Sequence, residues 1–404
     1  MATDPNAQPF SVTDFLYRTT DGSKWEIPDA ETFDFAGFFD WMADCRQLLL
    51  RRDELTWMEK QKAPDRSVDV FVNMSCGTQL APHVTLDIVG VLRALDVDFV
   101  AGAGRQFCCG KIYRTRTRVP AGEKMSQSSI DRFTGWGART AVHGCHSCQI
   151  VYSDYVDRVE SAAGPGFRNA HLSTFLEERL RELGDRVPWK HEVRRRVLVE
   201  GHGPEVSPVH DAATKASARI LAMVPGVEVV GVVEPPSVGA PCKTRVPGGP
   251  SVLSTLDGAE RHQVLDQIED QARRRGADTI SSNAHYCHRE WSKWATTGVD
   301  VTYYVSILAE ALGCANEDRY QRYWKLGDPA KVVEETRPYW TSWGLDEAKA
   351  LEVARKNFEP HFAGYVNPQC ACGGDPTKCN TGKYTLAKDI PTLAAERAGV
   401  AHEF

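Results

Sequence analysis

Twelve cysteines among 404 residues are the groups in this sequence whose type and spacing could do chemistry. Five form one series: Cys76, the adjacent Cys108 and Cys109 followed by Gly110, and Cys145 with Cys148 as a closing CxxC. There are 31 residues between Cys76 and Cys108 and 35 between Cys109 and Cys145. Each member falls where a strand is expected to end, so thiols from separate βα turns could converge on one sheet edge, where open α/β folds bind ligands. Convergent thiolates bind soft metals. Zinc is satisfied by four ligands in a tetrahedron, whereas an iron–sulfur assembly has several irons to satisfy and accommodates five thiols more naturally. A redox dithiol is what a CxxC alone would allow. Gly110 fits a bulky cluster, because backbone without a Cβ can lie close to it.

These thiols need strands and turns to carry them. VDVFVNMSCG (68–77) reads as a buried strand, VTLDIVGVLRALDV (84–97) as an amphipathic helix and VDFVAGAG (97–104) as a second strand leaving through a glycine-rich turn, a β-α-β order. The order returns as RRVLVEGHG (195–203), HDAATKASARILAMV (210–224) and GVEVVGVVEPP (226–236). GARTAVHGCHSC (137–148) matches GADTISSNAHYC (276–287), pairing Cys148 with Cys287 and His146 with His285. HLSTFLEERLRELG (171–184) resembles YVSILAEALG (304–313) and sets Ser173 opposite Ser306, while Cys76 falls opposite His202. Offsets of 126, 139 and 133 residues, similar but unequal, are what duplication followed by loop insertion leaves. The expected architecture is α/β: an N-terminal extension (1–66), a first cluster-binding half (67–190), a second half (191–330) and a helical C-terminal segment with a cysteine-bearing tail (331–404).

The series C-x31-CCG-x34-C-x2-C resembles the CCG cysteine-rich domain found in the disulfide-reducing subunit of heterodisulfide reductase and in related iron–sulfur subunits of succinate, lactate and glycolate oxidoreductases. The resemblance covers about residues 67–315. The domain is normally present twice in such chains, which implies two Rossmann-like halves here. It also implies that Cys76, Cys108, Cys109, Cys145 and Cys148 ligate a noncubane [4Fe-4S] cluster, a pair of fused smaller iron–sulfur units. In the family's disulfide reductases an iron of that cluster takes a substrate sulfur directly, and the S–S bond is split in one-electron steps.

The second half departs from the pattern. It offers His202, Cys242 after Pro241, and Cys287 with Ala284 where the first CxxC cysteine would stand. Two readings follow: a mononuclear zinc or iron site built from His202, Cys242, Cys287 and either His285 or His288, or a vestigial half that shapes a pocket. The tail, CACGGDPTKC, places Cys370, Cys372 and Cys379 within ten residues. A fourth ligand from Cys314, His361, Cys242 or Cys287 would complete a zinc site or, if a thiolate, suit a cubane cluster.

Other groups bear on the reaction. Reducing a disulfide to two thiols needs a proton donor, and His143 and His146 flank the cysteine turns. RTRTR (114–118), with Lys111 and Lys124, is a local basic patch that could attract a carboxylate-bearing substrate or an acidic redox partner. Trp291, Trp294, Tyr303, Tyr304, Trp340 and Trp343 could wall an apolar cavity. GAGRQ (102–106) opens no full GxGxxG, so no dinucleotide site is expected.

The net charge of −6 gives no global reason to bind nucleic acid. No run of about 18 apolar residues suggests membrane insertion, and MATDPNAQPFSVTDF has neither a basic nor an apolar leader segment. A cytoplasmic oxidoreductase is expected. Neither a flavin motif nor a ferredoxin-type CxxCxxCxxxCP run is present, so electrons are expected from a partner protein.

Overall fold

The computed structural model describes residues 35–54, 63–114, 118–159, 162–163, 166–204, 206–234, 258–294 and 299–358. Within them the chain is mixed α/β, with two four-stranded parallel sheets and fourteen α-helices. In the first sheet, β1 (Val70–Asn73) lies between β2 (Phe99–Gly102) and β3 (Thr140–His143), with β4 (Arg168–His171) outside β3. The second has β5 (Arg195–Glu200) between β6 (Val227–Val232) and β7 (Thr279–Ser282), with β8 (Asp300–Tyr303) outside β7. The two orders, 2-1-3-4 and 6-5-7-8, are therefore the same. Central strands such as β1 (VFVN) are apolar because helices cover both faces, as parallel sheets require.

The helices follow the strands in matching positions. α1 (Phe35–Arg46) precedes the first sheet; α2 (Pro82–Ala94) follows β1, α3 (Lys111–Arg114) and α4 (Val119–Gly135) follow β2, α5 (His146–Arg158) follows β3, and α6 (Leu172–Leu183) follows β4. In the second unit α7 (Pro208–Met223), α8 (Gly258–Arg275), α9 (His285–Trp294) and α10 (Tyr304–Ala311) occupy the corresponding places, and α11 (Arg319–Leu326), α12 (Pro329–Glu335), α13 (Arg337–Trp340) and α14 (Glu347–Phe358) close the described chain. α2 shows how such helices are specified. Val84, Ile88, Val91 and Leu92 recur at helical spacing and are fully buried, and Pro82 sits at the first turn, where its missing N–H costs nothing.

The repeated twelve-residue segments fold alike. In each, the strand begins at the shared Thr (140 or 279) and the helix at the shared His (146 or 285). The pairing of Ser173 with Ser306 is corrected. His143 lies beside His171 in one sheet and Ser282 beside Tyr303 in the other, so His171 corresponds to Tyr303 and Ser173 to Val305. Likewise, Asn73 is in register with His143 and Glu200 with Ser282, so Glu200 takes the place of Asn73, and His202 falls within one residue of the Cys76 position.

The two units meet through equivalent surfaces: α2 packs on α10, and α7 packs on α6. A single apolar cluster runs through this interface and includes Val84, Ile88, Leu176, Ile220, Leu308 and Leu312. α1 lies against the 3-10 turn Gly77–Leu80 beside Cys76 and against α14, and Arg46 donates to Gln79 Oε1 at 3.0 Å. The N-terminal extension, in its described part, thus packs on the body near the cysteine series.

Asp87, buried on α2, fastens the interface. Its Oδ2 accepts from Ser306 Oγ (2.5 Å) and its Oδ1 from Asn316 N (2.7 Å) and Nδ2 (2.9 Å). Burial outweighs these donors and pushes the carboxyl up to about 6 from 3.8. A folded value above the unfolded one favours the protonated form, so this group's contribution is fully present below about 4 and is lost as pH rises through about 6. The loss is on the order of 3 kcal/mol. Urea unfolding between these pH values is expected to show it, and Asp87→Asn, which keeps an acceptor for Asn316 and a donor for Ser306, should flatten the profile. An unchanged slope in the variant would assign the effect to another group.

Candidate metal centre

The five cysteines of the series come together at the ends of β1, β2 and β3. Each is a free thiol. Cys109 exchanges hydrogen bonds with Cys108 and Cys148, and Cys148 also with Cys145. Cys76 lies within electrostatic range of Cys108, Cys109 and Cys145. No disulfide ties any of the five to another.

Local structure explains the convergence. After β1 the chain turns through Ser75, whose φ of 62° is unusual for a residue with a side chain. Asn73 Oδ1 accepts from Ser75 N (2.9 Å), and its Nδ2 donates to the Phe107 carbonyl (3.3 Å), so one buried amide joins the Cys76 turn to the Cys108 loop. Tyr152 Oη also donates to the Phe107 carbonyl (3.0 Å). Ser129 and Ser126 on α4 donate to the carbonyls of Cys108 (3.2 Å) and Cys109 (2.8 Å). The Cys108–Gly110 loop is thereby held by side chains on both sides.

Backbone amides point at the sulfurs. Gly110 N lies 3.4 Å from Cys108 Sγ, and the amides of Gly77, Lys111 and Cys148 serve Cys76, Cys109 and Cys145. Such donors stabilise thiolate charge. Without a metal, burial pushes Cys76 up to about 12. Cys108 and Cys148 are raised because each shares its proton with Cys109, and Cys109 is held low by those two bonds. Cys145 is lowered by its bond from Cys148. Several buried sulfurs cannot be anionic together unless a cation compensates them, so this set suits a multiply charged metal group that displaces the protons.

Access is uneven. Cys108, Cys109 and Cys148 are buried, whereas Cys76 and Cys145 keep some exposed surface. Lys111 reaches in to donate to Ser147 Oγ (2.9 Å), and its charge lowers both Cys109 and Cys145. Second-unit residues form another wall: Tyr303 lies within electrostatic range of Cys145, and Cys76 and Cys108 share an apolar cluster with Ala284, Cys287, Trp291 and, from α1, Phe35 and Phe39.

Residues 70–151 match the CCG family, described as a cysteine-rich domain. The match runs from the first residue of β1 into α5 and takes in all five cysteines. No curated protein matches the chain. The CCG cysteines thus suggest metal or iron–sulfur binding.

Several expectations around the CCG domain change. Gly110 is required by its own loop: its φ is +78°, and a Cβ there would meet Gly122 O of α4 at 2.1 Å. Part of the RTRTR stretch is engaged by the fold. Arg114 is buried and pairs with Asp154 at 2.9 Å, Arg118 lies over the Phe35 ring, and 115–117 fall outside the described residues. Trp291, Tyr303, Tyr304 and Trp340 are buried core residues.

The two histidines flanking the turns part company. His143 lies near Cys109, bonds Asn169 Oδ1 through Nε2 (3.0 Å) and is pushed down to about 4 by burial. His146 instead stacks between His171 (centroids 4.1 Å) and His210 (4.4 Å) and is held well below the usual range by burial. Both are neutral at pH 7.

In the second unit His202 Nε2 lies 3.3 Å from Cys287 Sγ, and Glu200 completes a group whose ligand atoms all lie within 4.8 Å of one another. Burial raises Glu200 to about 7. Cys287 is disulfide-bonded, so it could ligate a metal only after reduction. His288, offered as a ligand here, instead meets Asp318. Cys242, Cys370, Cys372, Cys379 and His361 lie outside the described residues. Glu200 was missed by the sequence reading, although an acid ending the apolar strand RRVLVE is a signal that could have found it.

Proposed function

We propose that the chain is an iron–sulfur oxidoreductase that acts on a disulfide, a thiol or a similar small sulfur compound, resembling the disulfide-reducing subunit of heterodisulfide reductase. The reading rests on one observation: five free thiols from three βα turns lie in range of one another. Cys76, Cys108, Cys109, Cys145 and Cys148 would hold a noncubane [4Fe-4S] cluster. When bound, that group supplies one-electron transfer and an iron open to a substrate sulfur.

The chain's own residues bind and orient. The partly exposed side at Cys76 and Cys145 is where a small substrate would approach, and Lys111, held by Ser147, places a positive charge there to hold an anionic sulfur or carboxylate. Phe35, Phe39 and Trp291 exclude water from the other side. His143, neutral beside Cys109, helps position the thiols through its ring and Asn169. His146 lies in a separate imidazole stack with His171 and His210. Electrons come from a partner protein. The Glu200, His202 and Cys287 group is a second candidate site for zinc or iron, dependent on reduction of Cys287.

Electron paramagnetic resonance of the anaerobically purified protein separates catalysis from simple electron relay. Small thiols and disulfides are expected to change the cluster's spectrum. A spectrum indifferent to both would leave a protein that only relays electrons.

A further inference from the structure

His288 is next to Cys287 in sequence, but one residue along a helix turns a side chain by about 100°. It therefore leaves the Glu200 and His202 group and enters another. There it meets His83, from the first turn of α2, and Asp318, the N-cap of α11. His288 Nε2 lies 2.7 Å from Asp318 Oδ2, and His83 Nδ1 lies 3.3 Å from Asp318 Oδ1. The imidazole centroids are 5.3 Å apart at 61°, and one ligand atom from each of the three residues lies within 4.8 Å of the others.

One observation points beyond a hydrogen-bonded tie. His83 is 4 % exposed and its Nδ1, aimed at Asp318, makes no hydrogen bond. Asp87 adds a second carboxyl in electrostatic range of Asp318, while Arg319 stands in electrostatic range of His83. Arg319 sends its guanidinium to the Leu49 carbonyl (2.7 Å) and toward Glu54 (3.6 Å).

We infer that His83, His288 and Asp318 form a binding site for a divalent transition-metal ion that ties the first α/β unit to the second. Two imidazoles and one carboxylate are a borderline-hard donor set, suited to zinc, iron or cobalt rather than to a thiolate-bound cluster. Nitrogen and oxygen ligands about 2.1 Å from a tetrahedral ion stand about 3.4 Å apart; the imidazoles face different oxygens of Asp318 at 2.7 and 3.3 Å, and the three groups, with ligand atoms within 4.8 Å of one another, would close in on the ion. The site has a structural consequence. α2 follows the turn that carries Cys76, and α9 carries Cys287, so an ion here clamps the elements that bring the two candidate centres together.

The site is independent of the proposed cluster, and the test keeps them apart. The full chain, purified anaerobically with its iron, is dialysed against Co²⁺. It is expected to take up one ion per chain whose X-ray absorption shows nitrogen and oxygen neighbours and no sulfur. His83→Gln and His288→Gln should each weaken uptake at least about tenfold, with iron and labile sulfide unchanged. Asp318→Asn keeps the N-cap acceptor and should also lose the ion, which guards against a misfolded histidine variant. No uptake, or uptake by all three variants equal to that of the parent protein, would overturn the site and leave a His–Asp–His ion-paired tie.

Discussion

Cys109→Ser is expected to strip most of the iron and labile sulfide from the protein and to lower any disulfide-linked activity on the order of 100-fold or more. The magnitude follows from comparison: groups that only orient a metal ligand typically cost 10–100-fold when lost, and Cys109 is itself a ligand in the proposed cluster. It is also the most connected of the five, bonded to Cys108, Cys148 and the Lys111 amide. Serine keeps the shape but not the soft, acidic sulfur that binds such metals. Cys45→Ala is the control, because this thiol of α1 lies outside the series. Metal analysis of both variants checks the prediction; equal iron in the two would remove Cys109 from the centre.

The second large effect belongs to a residue without a side chain. Gly110→Ala places a methyl 2.1 Å from the Gly122 carbonyl at a φ of +78°. Left-handed backbone costs about 1–2 kcal/mol for a residue with a Cβ. The clash is with backbone, which must shift as a unit, so the total is expected to exceed about 3 kcal/mol. α4 would be levered off the loop that its Ser126 and Ser129 hold, and Cys108 and Cys109 would move with it. Gly135→Ala, with open space around the added methyl, should be neutral or gain about 0.5–1 kcal/mol. Urea midpoints of the two variants give the comparison, and a Gly110→Ala protein as stable as its parent would contradict the packing argument.

Much of the strand and helix order was legible because its signals are local. The shared Thr and His of the two twelve-residue segments mark where strands and helices begin, and the apolar period of α2 shows its buried face. The Ser173 and Ser306 pairing slipped by one residue because YVSILAEALG is nearly all apolar and carries no phase of its own; sheet register sets the phase, through His171 and Tyr303. The series of five thiols was legible because its members follow β1, β2 and β3, in the turns and the first helical turn beyond them. Its supports were not. Asn73 and Gly122 act on residues twelve to thirty-four positions away, and nothing in the sequence joins them to the cysteines. His288 was drawn to the wrong group by its neighbour Cys287, since sequence adjacency hides the turn of the helix. Asp318, thirty residues on, became visible as its partner only once α11 was in place.

Quantifying iron, zinc and acid-labile sulfide in anaerobically purified protein tests the central claim most directly. About four irons and four sulfides per chain, the content of one [4Fe-4S] cluster, are predicted beyond any mononuclear ion, and they should disappear when Cys109 is replaced. Zinc bound at the five thiols with no labile sulfide would contradict the account.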